Sequence, residues 1–227
     1  MEEYSLALAL FDYLPVAVSA LGLSWLALLV GGDERRMQSW CLFGVALVIA
    51  GGLSKASWKL LWVLTGEDIT VLANLLFILM APGMVLLATH CYRAQRLWRN
   101  EPHGPVAPWQ AAMLIILPVY LAAGALYEGE AGSRAWFFIL LGCASLANIA
   151  ISGMLVRYTW SKRQHTTALL YLLSICLILG LSGLSRVSAG SAPLQWLAEA
   201  LNLMAHGSFA LATWRIRAVI PIRDTRV

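Results

Sequence analysis

The chain has 227 residues, of which 60% are hydrophobic and only 12% are charged. With a mean hydropathy of +0.73, this composition excludes an ordinary soluble domain. The net charge is +4, but no long basic run interleaved with aromatic residues accompanies it. We therefore interpret the excess positive charge as anchoring to an inner membrane surface, and we expect no nucleic-acid partner.

The apolar runs are long enough to cross a bilayer, which takes about 20 residues per helix. They predict an all-α membrane protein, a seven-transmembrane-helix bundle whose loops are too short for a soluble domain. Residues 1–227 then form a single integral membrane domain. The predicted spans cover residues 8–30, 40–63, 70–92, 108–127, 135–157, 166–187 and 194–216.

Basic residues predict the orientation of these spans. Twelve lysines and arginines fall on one side of the membrane, and four fall on or near the other. Because the basic loops face inward, we predict an amino terminus outside and a carboxyl terminus inside. Nine of the ten tryptophans lie near span ends, as in an aromatic belt. The start lacks a basic n-region, so we expect an uncleaved first span, and the compact loops favour a bacterial inner membrane.

Two short motifs occur twice along the chain. Residues 52–55 read GLSK and residues 183–186 read GLSR, while residues 80–83 read MAPG and residues 204–207 read MAHG. Each second motif is followed by Ala-Thr and then by an arginine: Ala88, Thr89 and Arg93 in one copy, Ala212, Thr213 and Arg217 in the other. The order suggests that spans two and three were duplicated as six and seven, giving a 3+1+3 parallel repeat. Chance similarity between helices rich in leucine and alanine is the alternative.

A parallel 3+1+3 topology with an external amino terminus resembles the SWEET and PQ-loop transporters and the KDEL receptor. The resemblance is one of topology: the chain contains no Pro-Gln dipeptide, and no functional residue is carried over. Microbial rhodopsins share the span count and orientation, but their retinal needs a lysine in the last span. Here the membrane lysines, Lys55 and Lys59, lie in the second span. We expect no cofactor and, without a CxxC pair, no metal site.

Polar residues inside the predicted spans mark a candidate site, because a charge at the bilayer centre costs from about 2.5 kcal/mol upward. Glu199, Asn202 and His206 in span seven are spaced by three and four residues, which places them on one helix face. Asn148 lies near the middle of span five between two serines with the same spacing. Two polar stripes that meet at mid-depth predict a hydrated cavity.

The outer half adds charged residues. Asp12 lies about one turn into span one, Asn74 begins span three and Arg186 closes span six. If the repeat is real, Lys55 and Arg186 occupy equivalent positions around one outward-facing pocket, with Asp12 and Glu199 as their counter-charges. The candidate ligand-binding residues are therefore Asp12, Lys55, Asn74, Asn148, Arg186, Glu199, Asn202 and His206.

Structural roles are the alternative for each of these residues. Lys59 is expected to snorkel to the interface, and Arg186 at its helix end could serve only as an anchor. Asn148 could form an interhelical hydrogen bond without touching a ligand. Lys55 could pair with a carboxylate, and His206 could be a satisfied structural histidine. These alternatives stay open from the sequence.

The chain carries no GxSxG, HExxH or glycine-rich phosphate loop, which argues against an enzyme. Our first hypothesis is a transporter or carrier of a small anionic or zwitterionic solute. A seven-helix receptor or sensor that acts through a partner is the second, and a lipid-modifying enzyme built on Asp12, Glu199 and His206 is the third. The expected partners are membrane lipids and a small-molecule ligand, with a homo-oligomer or a membrane partner protein as further options.

Overall fold

The computed structural model describes residues 5–32, 34–102, 104–129, 134–184, 192–217 and 220. Every regular element in these ranges is an α-helix, which confirms the all-α fold class. Arg186, one of the predicted site residues, lies outside the described residues, as do the side chains of residues 182–184. The second copy of the GLSK motif is therefore described only in part.

The helices follow one another with short connections. Their bounds are α1 Leu6–Phe11, α2 Tyr13–Gly31, α3 Arg35–Thr65, α4 Thr70–Trp98, α5 Pro108–Gly129, α6 Ala135–Ser161, α7 His165–Leu184 and α8 Ala192–Ile216. Five segments are long and apolar enough to cross a membrane: Leu6–Gly31, Arg35–Thr65, Thr70–Trp98, Pro108–Tyr127 and Ala135–Ser161. The apolar stretch His165–Leu181 is shorter. These helices are consistent with an integral membrane protein.

The first span is interrupted at Asp12, between α1 and α2. Pro15 explains the interruption, because it has no N–H for the carbonyl of Phe11 four residues earlier and its ring crowds that carbonyl. The hydroxyl of Ser5 caps the start of α1 by accepting a hydrogen bond from the N–H of Leu8 at 3.2 Å. The result is a carboxylate held at a helix break, one turn and a half from the end of the span.

Six of the helices form a closed ring in the order α2, α3, α4, α6, α7 and α8, with α8 packed back against α2. The fifth helix, α5, stands outside this ring and packs against α4 and α6. The short helix α1 packs mainly against α3. The first helices of the chain, α1 and α2, therefore lie beside its last helix, α8.

The closest helix contact is between α3 and α4, and it depends on glycine. A Cβ atom at Gly83 would lie 2.5 Å from the carbonyl oxygen of Gly44, and one at Gly51 would lie 2.6 Å from that of Leu76. Small residues let two membrane helices approach until their backbones touch. Gly207, the sequence counterpart of Gly83 in the second motif copy, has nothing within 4 Å of such an atom. The two copies are therefore packed differently at this point.

The tightly packed part of the bundle lies at the end where α2, α4, α6 and α8 finish. Its fully buried side chains include Leu26, Leu86, Leu87, Leu155, Tyr158, Tyr171 and Ile216. Toward the opposite end, residues 72–75 and 77–80 of α4 are all partly exposed, although they cover every side of the helix. Both the outward side of α4 and the side turned toward the ring are thus partly accessible there, and we call this the open end of the bundle.

Candidate functional site

A lysine held between two carboxylates forms the centre of the site. The Nζ atom of Lys59 lies 2.5 Å from Oδ2 of Asp12 and 2.8 Å from Oε1 of Glu199. The side chains of Lys59, Asp12 and Glu199 are only 8%, 7% and 16% exposed. This triad joins the break between α1 and α2, the second half of α3 and the first half of α8.

The triad lies below the open end of the bundle. Lys59 is six residues before the end of α3, and Glu199 is seven residues after the start of α8. At 1.5 Å per residue, both lie about 10 Å from their helix ends. The predicted role of Lys59 as a snorkelling residue is wrong, because its side chain is buried and paired. Asp12 and Glu199, predicted as counter-charges for Lys55 and Arg186, both pair with Lys59.

One carboxylate oxygen of the triad is left over. Oδ1 of Asp12 is buried, and within the described ranges it has no hydrogen-bond partner. Two carboxylates share a single ammonium, so the ionised triad carries one negative charge in excess. Buried polar atoms are normally hydrogen-bonded, and an unmatched one is costly. The arrangement thus suits a proton, or a donor group of a ligand, beside Asp12.

The polar stripe of α8 extends from the triad toward the middle of the bundle. Nδ2 of Asn202 donates a hydrogen bond to Oε2 of Glu199 at 3.4 Å, as their shared helix face predicted. His206 lies one turn further on the same face. Its ring is partly exposed, and among the described residues no group hydrogen-bonds to it.

Lys55 lies one turn before Lys59 on α3, so both side chains leave the helix on the same side. Its side chain is exposed, and no carboxylate of the described helices lies within 4 Å of it. The residue is ten positions from the end of α3, which is about 15 Å along the helix. An ammonium at that depth is expensive unless it faces water. We therefore expect a water-filled cleft along the side of α3 that carries Lys55 and Lys59.

The structure does not bring Asn74 into this cleft. Asn74 precedes Phe77 and Ile78 on α4 by three and four residues, so it shares their face. That face is turned toward α5 and α6, since the Phe77 ring packs edge-on against Phe137 at 5.0 Å and the hydroxyl of Tyr120 donates to the carbonyl of Ile78. Asn74 thus shares the face of α4 that packs against α5 and α6.

Asn148 stands on α6, one turn before Ser152 and one turn after Ala144. Ala144 and Ser152 are buried and Asn148 is partly exposed. The hydroxyl of Ser152 is buried without a hydrogen-bond partner in the described chain. No hydrogen bond joins Asn148 to α8 in that part of the chain either. The meeting of the two polar stripes at mid-depth stays a prediction.

No family model, curated protein or solved structure matches this chain. The function must therefore be argued from the site itself. Within the described ranges, histidine, cysteine and carboxylate side chains form no group of three that could hold a metal ion.

The residue that sequence reasoning missed is Lys59. Its signal was present in the spacing: a second lysine four residues after Lys55 shares its helix face. Choosing between the two lysines requires knowing which one is level with Asp12 and Glu199. The depth of these two carboxylates in the bundle depends on the helix break at Asp12 and on the position of α8 in the ring. A hydropathy pattern predicts neither of them.

Proposed function

We propose that this chain is a small carrier that takes an anionic or zwitterionic solute into a cleft at the open end of a seven-helix bundle. The observation that supports it is the exposed ammonium of Lys55, which has no carboxylate within 4 Å among the described residues and lies on the same side of α3 as the buried triad. The proposal includes an amino terminus outside, a carboxyl terminus inside and a bacterial inner membrane. The positive-inside distribution of the basic residues supports this orientation.

The charges around the cleft favour a zwitterion over a simple anion. Lys55 and Lys59 balance Asp12 and Glu199, so the cluster is neutral when all four groups are ionised. A solute without net charge leaves that balance intact, whereas an added net charge has to be compensated in a poorly solvated place. In this scheme Lys55 binds the carboxylate or phosphate of the solute. Glu199, steadied by Asn202, receives its amine.

His206 would define the floor of the cleft. It follows Glu199 by seven residues, or about 10 Å along α8. A neutral imidazole in this position can donate a hydrogen bond to a polar solute or accept one from it. The distance between Lys55 and His206 would then limit the length of a solute that contacts both.

The order of helices in the ring supports the 3+1+3 repeat. The ring runs through α2, α3 and α4 and then through α6, α7 and α8, with α5 left outside. Two three-span units joined by an odd span would produce this order, and their mutual rocking is a common transport mechanism. The unequal packing of Gly83 and Gly207 means that such units would have diverged in detail.

The test is thermal unfolding of the detergent-purified chain with a panel of amino acids, other zwitterions and small carboxylates. A ligand that binds only the folded state adds about 2.7 kcal/mol at a hundred times its Kd. We expect a zwitterion to raise Tm in the unmodified protein and Lys55→Gln to abolish that rise. Lys162→Gln is the matched control, because Lys162 is exposed at the end of α6 and lies far from the triad.

A ligand-induced shift of equal size in Lys55→Gln and in the unmodified protein would contradict the proposed site. Solutes that pass this test go to counterflow uptake in proteoliposomes, where a carrier accumulates labelled solute and a receptor does not. Stabilisation by lipids alone, with none by soluble compounds, would favour the lipid-modifying enzyme over the carrier.

A further inference from the structure

A cavity lies between the last turns of α4 and α6, at the end of the bundle opposite the triad. Its volume is about 300 Å³. The polar and aromatic side chains that line it are Tyr92, Gln95, Arg96, Arg99, Glu101 and Arg157. The ion pair between Arg93 and Glu34 at 3.3 Å ties this end of α4 to the start of α3. The cavity is thus separated from the triad by most of the length of the bundle.

The cavity is strongly positive. It is lined by three guanidinium groups and one carboxylate, which leaves two positive charges in excess. The carboxylate of Glu101 lies 3.5 Å from Nε of Arg96 and is 46% exposed, so this pair is weak. No carboxylate in the described part of the chain lies within 4 Å of Arg99 or Arg157. Two arginines that face one cavity without counter-charges are an anion-binding arrangement.

The walls of the cavity are fixed by contacts of their own. The amide of Gln95 donates a hydrogen bond to the carbonyl of Met154, which links α4 to α6. The guanidinium of Arg96 lies over the ring of Tyr92, 5.9 Å from its centroid. These contacts hold the helix turns that carry the arginines. A binding site whose walls are already held loses less conformational entropy when a ligand arrives.

The chain turns back at the end of α4 to complete the cavity. Asn100 adopts a left-handed conformation with a φ of 56°, which reverses the backbone after the helix. The N–H of Glu101 then donates to the carbonyl of Arg96 at 2.9 Å, and that of Asn100 donates to the carbonyl of Leu97 at 3.0 Å. This cap places Glu101 beside the arginines rather than further along the loop.

The chemistry of the cavity selects a phosphate group. Guanidinium is planar, permanently charged and matched to the oxygens of a phosphate, which it binds through paired hydrogen bonds. Gly153 opens one wall, since a Cβ atom there would meet nothing within 4 Å, and Tyr92 is 57% exposed beside it. A positive cavity with open space at Gly153 fits a headgroup whose acyl chains lie against the bundle. Basic pockets between membrane helices on the inner side hold acidic headgroups in this way.

We propose that Arg96, Arg99 and Arg157 bind the phosphate group of an anionic ligand, either an acidic phospholipid headgroup or a soluble phosphate. The proposal does not depend on the carrier function, because no residue is shared between this cavity and the cleft. Loss of one charge-assisted contact to phosphate weakens binding about tenfold. Each arginine is thus a separate test of the site.

The experiment uses the full chain in a neutral detergent, with Tm and native mass spectrometry as readouts. Three additions are compared: phosphatidylglycerol, phosphatidylcholine and inorganic phosphate. We expect phosphatidylglycerol, but not phosphatidylcholine, to bind and to raise Tm. Arg157→Gln and Arg99→Gln should each weaken that binding about tenfold. Arg36→Gln is the matched control, because Arg36 is exposed at the start of α3 and lies outside the cavity.

The outcomes separate the two sources of phosphate. An arginine-dependent effect of inorganic phosphate, with none from phosphatidylglycerol, would assign the site to a soluble ligand. An effect of phosphatidylglycerol that persists in both Arg157→Gln and Arg99→Gln would overturn the proposal. So would an equal loss in Arg36→Gln, since the binding would then follow total charge rather than the cavity. Using two separate arginine variants keeps the test decisive if one of them folds poorly.

Discussion

Lys59 neutralises two carboxylates that the fold has taken out of water. Substituting it with methionine would remove the ammonium that both Asp12 and Glu199 contact and leave the two carboxylates buried. Breaking a buried ion pair by removing one partner typically costs about 3 to 5 kcal/mol. We expect Lys59→Met to lower Tm strongly or to prevent accumulation of the folded protein, as measured in detergent.

The control for this substitution removes the charges together. In the triple variant Lys59→Met, Asp12→Asn, Glu199→Gln, no charge of the triad itself is left unpaired, so stability should recover in part. Lys162→Met, at an exposed position, should change little. A Lys59→Met protein as stable as the unmodified one would show that the carboxylates are satisfied in another way and that the triad contributes no net stability.

Individual residues differ in how far the sequence could predict them. Asp12 and Glu199 stand out because acidic side chains interrupt apolar runs, and Asn202 follows from its helical spacing to Glu199. Asn74 looked like an outer-pocket residue by depth alone, but the face of α4 that carries it packs toward α5 and α6. Depth along a helix can be estimated from sequence, whereas the direction that a face points depends on which neighbour the helix acquires.

At the scale of elements, the contact between α3 and α4 depends on the absence of a side chain. Gly83→Ala places a Cβ atom 2.5 Å from the carbonyl oxygen of Gly44, so the two backbones must separate. We expect this substitution to destabilise the protein by about 1 to 3 kcal/mol, the usual cost of overpacking. The measurement is the midpoint of thermal unfolding in detergent.

Gly207→Ala is the matched control, since Gly207 is the counterpart of Gly83 in the second motif copy and its added Cβ atom meets nothing within 4 Å. Alanine is also the better helix former, so this variant should be neutral or slightly more stable. Equal destabilisation of both variants would mean that the two copies pack alike, which would favour a close structural repeat over the difference seen here.

Helix positions were easier to predict than helix neighbours. Hydropathy placed the second span at residues 40–63, and α3 extends it at both ends to Arg35–Thr65. The extension at its start includes charged residues that favour a helix but not a bilayer. Nothing in the sequence of α5 distinguishes it from the ring helices, because its exclusion follows from the close contact of α4 with α6. Which helices become neighbours depends on how two surfaces fit together, and the sequence of one helix alone does not contain that information.

At the scale of the whole molecule, the predicted orientation can be tested by labelling. Glu67 lies in the exposed turn between α3 and α4, and Lys162 lies in the exposed turn between α6 and α7. With the amino terminus outside, Glu67→Cys should react with a membrane-impermeant maleimide in intact cells. Lys162→Cys should react only after the cells are permeabilised. The opposite pattern would invert the topology, and the unmodified chain measures the background from Cys176, which is exposed.

The triad joins helices from the beginning and the end of the chain, which has a consequence for the order of synthesis. Lys59 and Glu199 are 140 residues apart in the chain, and a ribosome adds about 5 to 20 residues per second. For roughly 7 to 28 seconds at that rate, Lys59 can pair with Asp12 but not with its second carboxylate. Until α8 is made, the ring stays open between α2 and α7. Insertion of α8 then closes the ring and brings Glu199 to Lys59 in one step.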